Sequence, residues 1–211
     1  NIDLRYDFFP KRNNGDMFSV TDYFKKLKSP IEQTQESSGG TVIRSFRNAE
    51  DGIATGVEIE FRKELFKNLR IGANGSYMYT NVILPEGGVY TDSERALQGA
   101  SPFLINADIS YTPQLRGESD LTLALVYNVQ GPRIETVGIY GTGNIKQQTL
   151  HTMDFIASYA INKHLNLRLQ MKDLLNSTIR FKQELPATGQ KVEVESFRPG
   201  TNAEIGVSYR F

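Results

Sequence analysis

Two carboxylates, Glu58 and Glu60, stand two residues apart in the stretch GVEIEFR. On a β-strand alternate side chains share a face, which would set the pair roughly 6.5–7 Å apart. Such a pair suits glycoside hydrolysis, with one carboxyl as acid and the other as base or nucleophile. That chemistry needs a desolvating cleft to drive the two pKa values apart, and the sequence offers none. The competing reading is electrostatic: the two acids pair with cations such as Arg62, Arg168, Lys172 or Arg210. His151 and His164 are distant in sequence, each near a strand end, and read as rim residues in water. The glycines of GIYGTGN (Gly138, Gly141, Gly143) lack dinucleotide-site spacing and read as a loop. NGS at Asn74 and NST at Asn176 match a glycosylation sequon, a triplet that recurs by chance. No GxSxG, HExxH or P-loop is present, and no cysteine, so thiol catalysis, disulfides and Cys-based metal sites are excluded. The expectation is a protein that is not an enzyme and needs no cofactor.

The elements that would carry these residues announce themselves by alternation. LINADISY sets Ile105, Ala107, Ile109 and Tyr111 against Asn106, Asp108 and Ser110. LNLRLQMK sets Leu165, Leu167, Leu169 and Met171 against Asn166, Arg168, Gln170 and Lys172. The same rule runs through NIDLRYDFF, GVEIEFR, LRIGANGSYMY, DLTLALVYN, HTMDFIASY and the terminal TNAEIGVSYRF. GDMFSVTDYFKK is the weakest segment, because one register misplaces Asp22 and the other Ser19 and Thr21. About nine strands of roughly 9–12 residues result, the length that a tilted strand needs to cross a bilayer. Short turns (Pro10–Gly15, Glu64–Asn68, Pro113–Glu118, Ile161–His164) alternate with long loops (Leu27–Asp51, Asn81–Ala100, Gly131–Gln148, Phe181–Gly200). That rhythm predicts an all-β antiparallel transmembrane barrel section with its long loops outside the cell.

Composition agrees. The 24 Lys+Arg balance 24 Asp+Glu, so there is no basic footprint for nucleic acid. No apolar run approaches the roughly 18 residues of a spanning helix. A mean hydropathy of −0.39 suits a soluble protein, but also a barrel, in which only alternate residues meet lipid. Aromatics near strand ends (Tyr6, Tyr77, Tyr79, Tyr111, Tyr127, Tyr159, Tyr209, Phe211) suit interfacial girdles. A soluble carbohydrate-binding β-sandwich, whose apolar face would turn inward on a second sheet, is the soluble alternative. Strand parity starts the chain outside and ends it at the periplasmic edge, an odd set that cannot close alone.

Taken together, RNAEDGIATGVEIEFRK, RALQGASPFLINADISY, KDLLNS and RPGTNAEIGVSYRF resemble the C-terminal barrel of TonB-dependent outer-membrane receptors, closest to the Bacteroidetes type. The resemblance runs over nearly the whole chain. It implies that residues 1–211 are the last nine of roughly 22 strands of a plugged barrel, with plug and earlier strands outside this segment. It further implies energised uptake of a scarce ligand (a siderophore, metal complex, peptide or glycan) across the bacterial outer membrane. The partners would be outer-membrane lipid, the plug and remaining strands, the TonB complex and the barrel-insertion machinery, for which Phe211 would be the assembly signal. Ala100 stands in GASP where the family commonly has a polar residue. A passive channel or surface-binding barrel is the other membrane reading.

Ligand contacts are expected on the long loops, where arginine and aromatic side chains offer bidentate and stacking contacts: Arg44, Phe46, Arg47, Tyr90, Arg95, Arg133 and Tyr140. The wet lumen would be faced by Glu58, Glu60, Asp108, Arg168, Lys172, Glu204 and Arg210.

Overall fold

The computed structural model describes residues 1–10, 15–38, 41–85, 90–115 and 119–211, the side chains of 35–38 and 41–44 excepted. Sixteen strands occur among them: β1 (Ile2–Phe8), β2 (Met17–Lys28), β3 (Ile31–Ser38), β4 (Thr41–Asn48), β5 (Asp51–Phe66), β6 (Leu69–Ile83), β7 (Glu94–Arg95), β8 (Phe103–Tyr111), β9 (Asp120–Gln130), β10 (Arg133–Thr136), β11 (Ile145–Gln147), β12 (Leu150–Ala160), β13 (Leu165–Lys172), β14 (Ile179–Glu184), β15 (Lys191–Phe197) and β16 (Asn202–Tyr209).

Nine of them form one wall in the order β1-β2-β5-β6-β8-β9-β12-β13-β16, with β7 added to β6. They are the nine alternating segments of the sequence. Every neighbour in the wall is antiparallel. The short connections lie at one end. Between β5 and β6 the turn is tighter than the sequence suggests. β5 runs on to Phe66 through a bulge, and only Lys67 and Asn68 turn, Asn68 at φ 70°. Between β12 and β13, the Asn162 side-chain oxygen accepts the backbone N–H groups of His164 and Leu165 at 2.9 and 3.0 Å. An Asx turn of this kind does the work of a backbone turn.

Register carries the apolar row across the wall. Ile71 pairs with Ile109, Ile109 with Leu125, Leu125 with Phe155, Phe155 with Met171, and Met171 with Ala203. Among the described residues no second layer covers this face. Substantial strand contacts follow hydrogen-bonded neighbours, with β3 against β10 the exception. At the two edge strands the row is bare: Leu4 is 70% exposed and Ile205 77%. In a β-sandwich these side chains would be the core; here they have only lipid to face. Along β8 the outward row is bounded by Phe103 and Tyr111, about 27 Å apart along the strand and near 20 Å in height once tilted, close to the apolar band of a barrel.

β2 resolves the ambiguous segment in favour of Asp22 as the misplaced residue. Leu4, Asp22 and Val57 are register partners on the outer face, while Ser19 and Thr21 lie with the polar row. Val57 also pairs with Tyr77, so Asp22 sits at the aromatic level, where a charge costs least.

The long loops are a correction to the sequence reading, because much of their length is β-structure. Leu27–Asp51 contains the β3–β4 hairpin, and β10, β11, β14 and β15 form a separate four-stranded sheet. β14 and β15 do alternate, but over only 6 and 7 residues, while β3, β4, β10 and β11 mix or largely lack apolar residues, so alternation does not reveal this cap. The buried apolar side chains of the described residues all lie at this end: Ala49, Ala54, Val82, Leu84, Ile134, Val137 and Ile139. The core is therefore in the cap, not in the wall.

Candidate functional site

The polar face of the wall is a ladder of matched rows. Asp7, Ser19, Glu60, Asn74, Asn106 and Asn128 are successive register partners from β1 to β9. Asn106 donates to the Asn74 amide oxygen at 2.7 Å, which also makes Asn74 a wall residue whatever its sequon. Glu60 is held between two arginines, Arg62 at 2.7 Å and Arg5 at 3.5 Å, and Arg5 also reaches Asp7 at 2.9 Å. For Glu60 the electrostatic reading is thus the one the side chain adopts; Glu58 lines the same open pocket of about 320 Å³ on the polar face but is exposed beside Thr21 and Ser76. Asp108 lies over Gly72, close enough that a Cβ there would collide with its carboxylate. Arg168, Lys172 and Glu204 are exposed on the same face and have no ion-pair partner among the described residues. Arg210 follows β16, its N–H donating to the His164 carbonyl at 2.8 Å, and the His164 ring bonds the Arg210 carbonyl. Phe211 is fully exposed, with its ring edge-on to Tyr209 at 5.2 Å.

KDLLNS is a wall-to-cap joint. Asp173, at φ 50°, accepts the Ser177 N–H through its carboxylate, and its own N–H is held by Asp154 at 2.9 Å. GIYGTGN is likewise a tight turn rather than a phosphate cradle. Tyr140 and Gly141 both have positive φ, and Asn144 accepts the Gly138 N–H at 2.9 Å.

Of the loop residues expected to touch ligand, Arg95 and Tyr90 are brought together, Arg95 buried and Tyr90 half-buried. Arg95 forms a bidentate pair with Glu32 at 2.6 and 2.7 Å, and both side chains are almost wholly enclosed. The guanidinium also lies 5.7 Å from the Tyr90 ring centre. The Tyr90 hydroxyl and Arg95 Nε are buried without hydrogen-bond partners among the described residues. Burial, and then the nearby Glu32 charge, push the Tyr90 phenol above its ordinary value, against the opposing pull of Arg95 and Arg47. Around this pair the Gln98 amide splices the β3–β4 hairpin to β10. It accepts the Gln33 N–H at 2.6 Å and donates to the Glu135 carbonyl at 2.7 Å. Glu32 and Gln98 were not singled out in the sequence; nothing local distinguishes Glu32 from other loop acids. Phe46 and Tyr140 are exposed, 71% and 67%, and Arg47 is exposed on the same hairpin strand as Phe46. Arg133 donates to Gln147 at 3.1 Å at the foot of the four-stranded sheet. The Arg44 side chain lies outside the described residues.

A single-layered wall with a bare oily face, a charged face and a water-side cap defines a class: a membrane-spanning β-barrel wall. The chain matches the outer membrane protein beta-barrel family over residues 1–209, and it belongs to that family. It is a bacterial outer-membrane protein. No curated protein matches it. Among solved structures it is similar to the ferric enterobactin receptor of Pseudomonas aeruginosa (a point mutant), at 15% identity and a TM-score of 0.62, covering 99% of this chain and 30% of that one. The chain therefore spans about a third of the receptor whose fold it shares.

Proposed function

We propose that this wall is the C-terminal nine-strand section of a TonB-dependent receptor barrel of the Bacteroidetes type, and that the whole protein performs energised uptake of a scarce ligand. The observation that carries this is the pair of open edges. β1 and β16 have no outer partner among the described residues, and an unpaired backbone edge in hydrocarbon costs several kcal/mol per polar group. Further strands must complete such a wall, and the likeness to one section of a much larger receptor supports this. The unpaired lumen charges Asp108, Arg168, Lys172 and Glu204 suit a polar plug filling the interior. Ligand binds the cap and plug from outside; TonB pulls the plug; the ligand then passes along these polar rows. Phe211, free at the short-turn rim, is read by the barrel-insertion machinery. No step of this transport calls for catalysis by the wall.

The test is uptake by cells carrying the full-length protein, with and without its TonB-contacting segment. Uptake should vanish when that segment is deleted or the proton gradient is collapsed. Uptake indifferent to both would favour a passive channel and refute the proposal.

A further inference from the structure

β7 divides inside from outside in two residues. Arg95 pairs in register with Val82 and points to Glu32, whereas Glu94 pairs with Ile83 on the opposite face. Tyr77, Tyr79 and Asn81 share the face of Ile83, the face that carries the lipid-facing row down β6 through Ala73 and Ile71. β8 stops at Phe103 while β6 runs on to Ile83, leaving a notch in the wall just above the aromatic level. A cavity of about 670 Å³ occupies that notch.

Its lining is mixed in a particular way. Tyr77 and Tyr79 present their rings, 60% and 54% exposed. Two amides are already oriented by carboxylates: Asn81 donates to Glu94 at 2.9 Å and Asn144 to Asp92 at 2.7 Å. Arg133, Lys146 and Glu184 complete the charged rim, and Lys146 and Glu184 have no partner among the described residues.

We infer that this cleft binds the saccharide headgroup of an outer-leaflet glycolipid. Tyrosine rings stack on the C–H faces of a pyranose, and amide–carboxylate pairs give hydroxyls both donors and acceptors. Arg133 and Lys146 suit anionic substituents such as phosphate. The volume is that of a small-ligand site. The direction of opening selects the source. The cleft is continuous below with the oily row, so a headgroup seated in it lets its acyl chains run down past Ile105 and Ile71. Met78, Thr80 and Arg95 line its inner side, where the Arg95–Glu32 pair and the buried Val82 stand between it and the lumen. Arg95 and Arg133 are shared with the expected ligand contacts, so the test substitutes neither and reads lipid retention rather than uptake.

The experiment uses the full-length protein, extracted from native outer membranes in mild detergent, with bound lipopolysaccharide per protein measured by mass spectrometry. Tyr77→Ala/Tyr79→Ala should lower retention by about tenfold, the scale of losing well-placed contacts, while heat-modifiable gel mobility stays unchanged. Lys146→Ala, at an exposed position that does not bear on folding, should lower retention as well. Wild-type retention in both variants overturns the inference. So does a second outcome: lipid-free core oligosaccharide displacing intact lipopolysaccharide at equal concentration, which would make the cleft a receptor for soluble glycans.

Discussion

Leu125 and Val126 are adjacent on β9 and should respond to the same substitution in opposite ways. Leu125 lies midway along the outward row of β9, between Leu121 and Val129, with Ile109 and Phe155 as cross-strand partners. Arginine there would place a charge near the bilayer midplane, at a cost of about 2–4 kcal/mol, a shift of about 30- to 700-fold in the folding equilibrium. Val126 points to the other face, directly between Asp108 and Asp154. Arginine there gains two cross-strand opposite-charge neighbours, each worth about 0.2–1 kcal/mol. Val126→Arg should therefore be neutral or stabilising by up to about 1 kcal/mol after solvent screening. The assay is equilibrium urea unfolding of the full-length barrel in lipid vesicles, followed by circular dichroism. Equal losses in the two variants would mean that both faces are buried in protein, and the assignment of faces would fall. Leu167→Arg gives an internal depth check. Leu167 is paired with Tyr159 at the short-turn rim, so its cost should drop to about 0–1 kcal/mol.

The cap yields further tests. Glu32→Gln leaves the Arg95 charge buried and unpaired, which should destabilise the cap locally by about 3–5 kcal/mol; hydrogen exchange across β3 and β7 should accelerate while the wall stays protected. Replacing both partners by methionine should restore most of that protection. Tyr90→Phe removes a buried hydroxyl that has no partner, so it should cost little at neutral pH. Because the folded phenol is raised above its unfolded value of about 10, its stabilising effect is complete below that pH and is lost as pH climbs through the folded value. Tyr90→Phe should accordingly lose less cap protection than wild type under alkali, and its 295 nm titration should lack one late-ionising phenol. Gly56→Ala would drive a Cβ into the Tyr77 carbonyl and to 2.6 Å from the Tyr23 hydroxyl, and should cost about 1–3 kcal/mol by overpacking, measured by the same urea titration.

The wall was readable in the sequence because period-two alternation is the direct imprint of a sheet with lipid on one side and water on the other. LNLRLQMK and LINADISY lie in β13 and β8 with the faces their alternation implies. Glu60 found the kind of partner expected for it, since Arg62 lies two residues away on the same face. The cap was not readable. KVEVESF is exposed along its whole length in β15, and β3 buries Glu32 and Thr34 while its neighbours stay exposed or half-buried. Their pairing is decided by contacts between loops remote in sequence. Arg95 shows the cost of reading residue type without partners. An arginine in a long loop suggests a ligand contact, but only the fold reveals Glu32 waiting sixty-three positions earlier.

β5 and β6 ascend without interruption from the short-turn rim into the cap, whereas the sheet of β10, β11, β14 and β15 is joined covalently to the wall through segments outside any strand, and is tied to the loop beside β7 by hydrogen bonds from Gly99 to Ile134 and from Gln98 to Glu135. The joining segments are Gly131–Pro132, Gln148–Thr149, the Asp173–Thr178 joint and Arg198–Thr201, where Asp173, Asn176 and Gly200 carry left-handed backbone angles. The crown of this protein is therefore half pillar and half plate on swivels. Rotation at those few dihedrals would leave every rung of the wall intact, and would have to break the bonds that Gln98, Gly99 and Asn144 make across the cap.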